Sequence, residues 1–243
     1  MVKRRKILFK PSLLMTLLTL VAVVAFLNLG NWQLRRAAEK QALLDLQTRR
    51  WQQPPLALDG EETLAQLGRY RHVQVTGVWD GRRQFLLDGR IYQGRAGYEV
   101  LTPLVLASGR IVLVNRGWVP AAADRRTLPD VSLDDHAVTV PGRVDAFPRA
   151  GMDLPGMRRL SPGWPSVVQV LEPEAAAARL GRPVADFQLK LDPEAEEGYV
   201  RAWKLTHLRP ERSRGYALQW FSFAAIAVGL WLWHGWKRAR RRT

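Results

Sequence analysis

The chain contains no cysteine. That excludes disulfide staples, thiolate-held zinc or iron–sulfur clusters, a thiol nucleophile and covalent c-type haem. Histidine and methionine are scarce, with four of each. His72, His136, His207 and His234 are too far apart for an i,i+4 or His-x-His pair, so no metal site is expected. Met152 and Met157 are too few for a copper-carrying methionine cluster. Ser161, Ser166 and Ser222 lack a Gly-x-Ser-x-Gly elbow, and no phosphate-binding glycine loop is present. Asp134-Asp135-His136 reads as a solvated acidic turn. The chain is therefore expected not to be an enzyme. With 243 residues, 47% of them hydrophobic, it can build a core without staples.

Acid is also in short supply. There are 22 Asp and Glu against 37 Lys and Arg, a net charge of +15. Such a balance first suggests nucleic acid, but the position of the charge removes that reading. Lys3, Arg4, Arg5, Lys6 and Lys10 occupy the first ten residues, and Lys237, Arg238, Arg240, Arg241 and Arg242 the last seven, with no acid in either tail. The 226 residues between them carry 27 bases and 22 acids. Each tail abuts a run without Asp, Glu, Lys or Arg, residues 11–34 and 215–236. Both runs exceed the roughly 18–20 residues that cross a hydrocarbon core as helix.

The expected organisation is a cytoplasmic basic tail over 1–10, a transmembrane helix over 11–34, a periplasmic domain over 35–214, a second transmembrane helix over 215–236 and a cytoplasmic tail over 237–243. The positive-inside rule puts both termini on the cytoplasmic side of a bacterial inner membrane. Aromatics support the second span, with Tyr216, Trp220, Phe221 and Phe223 at one end and Trp231, Trp233 and Trp236 at the other. A cleaved leader ending near Val23 and Ala25 is the rival reading of the first span, but the apolar stretch runs past that point.

The first helix is expected to continue to about Arg50, with an Arg35–Glu39 pair on its surface, and to end before Pro54-Pro55. Beyond it the pattern turns to period two. Strands are expected at Val73–Trp79, Phe85–Asp88, Tyr98–Val105, Ile111–Val119, Ala137–Phe147, Val167–Leu171 and Phe187–Leu191. Asp80-Gly81, Asp88-Gly89, Ser108-Gly109 and Pro141-Gly142 are turn signals, and Ser108-Gly109 marks a hairpin. A helix is expected over Glu172–Leu180, and the Gly/Pro-rich stretch 148–165 is expected to be irregular. The fold class is an α+β membrane protein, with two transmembrane helices flanking a mostly β domain, barrel-like or a curled sheet.

Several ordered blocks stand out. Gly30, Trp32, Gln33, Arg36 and Lys40 follow the first span. Val75, Gly77 and Trp79 precede Leu86-Leu87-Asp88-Gly89-Arg90. Then come Gly97-Tyr98, Val100-Leu101-Thr102-Pro103-Leu104, and Leu113-Val114-Asn115-Arg116-Gly117-Trp118-Val119-Pro120. Gly215-Tyr216-Ala217-Leu218-Gln219-Trp220-Phe221 opens the second span. In this order and topology they resemble the Surfeit-locus-1 family of cytochrome c oxidase assembly proteins over nearly the whole chain.

The resemblance implies a membrane factor that assists assembly of haem-copper cytochrome c oxidase by helping place haem a in the catalytic subunit. It implies the oxidase catalytic subunit and the haem A synthesis machinery as partners, the membrane as support, and no nucleic acid. The alternative is a membrane scaffold that holds oxidase assembly subunits without binding haem. The candidate cofactor-binding residues are Trp32, Gln33, Arg36, Arg116, Ser213, Tyr216, Gln219 and Trp220. If the spans pack, Trp32, Gln33 and Arg36 meet Tyr216, Gln219 and Trp220 at one membrane depth as an aromatic and polar pocket. Arg116 is either a partner for a haem propionate or carboxylate, or part of a strand end whose Gly117 turns the chain and whose Trp118 fills the core. Ser213 stands where family members commonly carry the histidine that is the natural axial ligand, and a neutral hydroxyl is a poor iron ligand. His207 is a candidate replacement or a solvated histidine, and His234 an interfacial anchor.

Overall fold

The computed structural model describes Phe9 and residues 11–149, 151, 154–203 and 208–240. The outermost tail residues, Met152 and His207 lie outside the described residues. In chain order the elements are α1 (Leu13–Trp51), β1 (Leu56–Leu58), α2 (Leu64–Leu67), β2 (His72–Trp79), β3 (Phe85–Tyr92) and β4 (Arg95–Val105). They continue with β5 (Ile111–Pro120), β6 (Ala137–Asp145), β7 (Ser166–Val168), α3 (Pro173–Leu180), β8 (Val184–Leu191) and α4 (Pro210–Arg240). Two compact units result, Met1–Asp45 with Leu205–Thr243, and Leu46–Lys204. The boundary between them falls inside α1.

The first unit is built on α1 and α4, both long and apolar enough to cross a membrane. On α1 the buried and half-buried positions Thr16, Thr19, Val23, Phe26, Gly30, Gln33, Ala37 and Lys40 recur at alternating spacings of three and four. Ser213, Ala217, Trp220, Ala224, Ala227 and Trp231 repeat the pattern on α4. That spacing keeps one narrow stripe facing a partner helix. The pair is antiparallel: the Trp231 indole donates to Thr16 Oγ1 at 2.9 Å, Phe26 stacks on Trp220 at 5.8 Å, and Lys40 Nζ donates to Ser213 Oγ at 2.9 Å. Gly30 is needed for this approach, since a Cβ there would stand 2.5 Å from the Phe221 ring. Away from the seam, Leu13, Leu17, Leu20, Leu218, Ile226 and Leu230 are exposed. An apolar exterior is the arrangement suited to lipid. Glu39 pairs with Arg36, at 3.3 Å, in place of the expected Arg35.

The second unit is an eight-stranded mixed sheet among the described residues, in the order β1-β2-β6-β8-β5-β4-β3-β7. β1–β2, β5–β8 and β3–β7 are parallel and the other neighbours antiparallel. Val78 and Trp79 of β2 also pair with Val105 and Leu104 of β4. This two-residue contact bends the sheet back on itself, so it is curled rather than closed as a barrel. β5 is buried on both faces. Val112 and Val114 join Trp79, Leu104, Phe187 and Leu189, while Ile111 and Leu113 join Phe85, Leu101, Leu171 and Leu180 under α3. Period-two alternation thus sends one strand's side chains into two cores. α3 begins with Pro173 at its first turn and stops at left-handed Gly181. α2 is closed by a Thr63–Gln66 capping box.

Two expected turns differ, and two short elements are additional. Asp88-Gly89 is not the turn between β3 and β4; it is a bulge within β3, and the hairpin turns at Gln93-Gly94, both at positive φ. Pro141-Gly142 lies inside β6, where Gly142 faces Lys190 and Leu189 of β8. β1 and α2 were not expected, because three- and four-residue elements carry no readable period. The Ser108-Gly109 hairpin is present, with Gly109 N–H donating to Leu106 O at 2.9 Å.

A Cβ on Gly142 would stand 2.6 Å from the Lys190 carbonyl oxygen. Gly142→Val should therefore cost about 2–3 kcal/mol of overpacking, lowering Tm by about 5–10 °C. Thermal unfolding of the full chain in detergent, followed by tryptophan fluorescence, checks this. Gly151→Ala, where a Cβ meets nothing within 4 Å, should leave Tm unchanged.

Candidate functional site

The block Asn115-Arg116-Gly117-Trp118 becomes intelligible from the strand register. Leu101 of β4 pairs with Asn115 and Val100 with Gly117, so Arg116 is the extra residue of a bulge in β5. A bulge re-aims a side chain that strict alternation would send elsewhere. Asn115 Oδ1 accepts the Gly117 N–H at 3.2 Å and stabilises the bulge. Gly117 has a φ of 119°, and a Cβ on it would lie 2.8 Å from Val200 O. Trp118 resumes pairing, its amide donating to Val200 O at 2.8 Å and its indole to Arg90 O at 3.1 Å.

Arg116 is only 3% exposed. Its Nε donates to Glu197 O at 2.6 Å, and its Nη1 reaches Gln84 Oε1 at 3.3 Å, Val131 O at 3.4 Å and Thr102 Oγ1 at 3.5 Å. The Tyr199 ring centroid lies 4.9 Å from the guanidinium carbon. Burial pulls the Arg116 pKa below the ordinary arginine value, while Tyr199 and Glu197 act in the opposite direction. Around it the other polar groups are engaged as well. Gln84 donates to Gly81 O and Val131 O and accepts from Thr102 Oγ1. The Glu197 carboxylate receives the Trp79 indole at 2.7 Å and lies 3.0 Å from His136 Nε2. Asn115 Nδ2 donates to Glu99 at 2.9 Å and to Gln188 at 3.1 Å. This cluster spends its donors and acceptors within the domain, which is how a buried cation is held rather than offered to a ligand.

The other candidates belong to the helix pair. Gln33, Ser213 and Trp220 lie on or beside the seam, Ser213 at 4% exposure. Trp32 is 49% and Tyr216 40% exposed, and Arg36 and Gln219 are also exposed. Arg212 Nη2 is 3.3 Å from Tyr216 Oη. Lys40 as the partner of Ser213 was legible only through the spacing Gln33, Ala37, Lys40, which places all three on one stripe. Gln84, Glu197 and Tyr199 had no sequence signal, since tertiary folding alone brings them to Arg116.

Haem a can be tested against these residues. Ser213 is buried, and its oxygen accepts a hydrogen bond from an ammonium. A hydroxyl so engaged, beside a fixed positive charge, does not fit the role of axial ligand to a cationic iron. His72 and His136 are bound to Asp192 and Glu197, and His234 lies near the far end of α4. Among the described residues no group of three or more His, Asp or Glu side chains could hold a metal ion.

An antiparallel apolar helix pair joined to a curled sheet, with a buried arginine at a strand bulge, defines a membrane-associated protein with a folded extramembrane domain. The SURF1 family model matches residues 20–225. A SURF1-like protein of Mycobacterium tuberculosis strain H37Rv is 30% identical over 253 residues, covering 98% of this chain and 90% of that protein. Surfeit locus protein 1 of Arabidopsis thaliana is 34% identical over 117 residues, 43% of this chain and 33% of that protein. A Dictyostelium discoideum SURF1-like protein is 32% identical over 105 residues, 40% of this chain and 38% of that protein. The chain belongs to the SURF1 family.

Removing the guanidinium strands several buried acceptors at once. Arg116→Met should destabilise the domain by about 3 kcal/mol or more, and Arg116→Lys should recover only part of it, because one ammonium does not reproduce the fork. Urea unfolding followed by tryptophan fluorescence measures both.

Proposed function

We propose that this chain is a membrane-anchored assembly factor for a haem-copper cytochrome c oxidase, acting as a scaffold that holds assembly subunits rather than as an enzyme or an iron ligand. Membership of the SURF1 family supports the oxidase assignment. The observation that carries the scaffold reading is the Lys40–Ser213 bond, which fills the ligand position with a structural contact. Both helices cross the bacterial inner membrane, the basic termini face the cytoplasm and the curled sheet lies in the periplasm. The partner is the oxidase catalytic subunit, alongside the haem A synthesis machinery. The domain contributes a rigid surface, because the polar groups gathered around buried Arg116 are satisfied internally.

Assistance in haem a placement is the second reading. It draws on Trp32, Arg36, Tyr216 and Gln219, which are exposed on the two helices. Cells lacking the chain should assemble less oxidase, and the intact gene should restore it; an unchanged oxidase yield would overturn the assignment. The chain purified from cells making haem a should show no stoichiometric haem a absorption band. A stoichiometric band that Trp32→Ala or Gln219→Ala abolishes would instead establish the second reading.

A further inference from the structure

We propose that one flank of the helix pair binds an anionic phospholipid, with Arg36, Arg212 and Tyr216 holding its phosphate. The inference rests on the reading of α1 and α4 as membrane spans. Arg36 immediately precedes the buried seam residue Ala37, and Tyr216 immediately precedes its counterpart Ala217. In an antiparallel pair, equivalent flanking positions of the two helices lie side by side. The seam contacts agree with that alignment, Gly30 meeting Phe221 and Lys40 meeting Ser213. Arg212 lies one turn before Tyr216, with Nη2 3.3 Å from Tyr216 Oη and its guanidinium carbon 5.8 Å from the ring centroid. Two guanidiniums and a phenol are thus gathered on one side of the pair.

The surrounding charge favours an anion. Residues 35–40 and 209–214 together hold six basic and two acidic side chains. Glu39 meets Arg36 at 3.3 Å, but both side chains are more than half exposed, so the pair is weak and can open to a ligand. A guanidinium offers parallel N–H donors that match two phosphate oxygens.

Height and shape point to a lipid rather than to a soluble phosphate. Arg36 is the second residue beyond the uncharged stretch 11–34, and Tyr216 is the second residue of the uncharged stretch 215–236. Both therefore stand where headgroup phosphates lie. Two turns deeper on the same flank are Leu29 and Phe223, 37% and 46% exposed, and Leu230 continues the row at 59%. A cationic end followed by an apolar track matches an anionic headgroup with an acyl chain below it.

The test uses the full chain in mixed detergent micelles holding equal phosphatidylglycerol and phosphatidylcholine, with bound lipid counted by native mass spectrometry. The wild type should retain phosphatidylglycerol preferentially. The Arg36→Gln, Arg212→Gln double variant should lose about thirtyfold of that preference, and Tyr216→Phe should lose a smaller share. Lys237→Gln, at the other end of α4, should keep the preference at this site and so separates it from attraction to the basic tail. Unchanged selectivity in the double variant, with unchanged tryptophan fluorescence as evidence of folding, would overturn the proposal. Displacement of the lipid by excess soluble glycerol phosphate would overturn the lipid assignment. Extraction of membranes with alkaline carbonate distinguishes the underlying reading: release of the chain would remove the spanning helices and the proposal together, whereas a carbonate-resistant chain without phosphatidylglycerol selectivity would remove the proposal alone.

Discussion

A guanidinium cannot shed its proton to escape a dry interior, so the domain must be assembled around Arg116. The groups that meet it come from far apart in the chain: Gln84 ahead of β3, Thr102 on β4, Val131 in the loop after β5, and Glu197 and Tyr199 in the segment after β8. None of them is a directly paired carboxylate; Glu197 contributes its backbone carbonyl to the cation and its side chain to Trp79 and His136. Glu197 adopts a left-handed φ of 59° to do so. Such strain in a non-glycine residue persists where its surroundings over-determine it. Residues 192–201, which follow β8, are thereby pinned. Asp192 at its start meets His72 and Arg143, and Arg201 donates to Asp192 O and Ala195 O.

The helix pair solves a different problem with the same economy. In lipid, apolar side chains gain little by meeting one another, so specificity comes from close packing and a few polar bonds. Here, among the described residues, two polar bonds lie towards the ends of the seam, Thr16–Trp231 and Lys40–Ser213, with the Phe26–Trp220–Phe223 ring cluster between them. Placing hydrogen bonds towards the ends and rings in the middle pins the register of the pair.

How much of this was readable from the residues follows the length of each signal. The two long helices, the alternating strands and the Ser108-Gly109 hairpin announce themselves through period, apolar length and turn chemistry. The curled order of the sheet does not, since strand alternation fixes which face is buried but not which neighbour is paired. Arg116 illustrates the limit most clearly. Its block is conspicuous, yet the single extra residue that turns the side chain inward appears only once Val100 and Leu101 are seen to pair around it. Asp88-Gly89 misleads for the same reason, because a glycine suited to a turn is equally suited to a bulge. Of the candidate site, the outward residues were identifiable by position along the spans, whereas the Lys40–Ser213 bond required two segments 173 positions apart to meet.

The two seam bonds have a mechanical consequence. Thr16 and Lys40 are 24 residues apart on one unbroken helix, about 36 Å of rise, somewhat more than the roughly 30 Å of an average hydrocarbon core. Because neither bond can slide without being lost, the pair cannot shorten by slipping one helix past the other. On the reading of both helices as membrane spans, a thinner bilayer would be met by tilt or by lipid drawn up around the pair. A polar contact that looks like a local fastening therefore makes the helix pair a strut of fixed length.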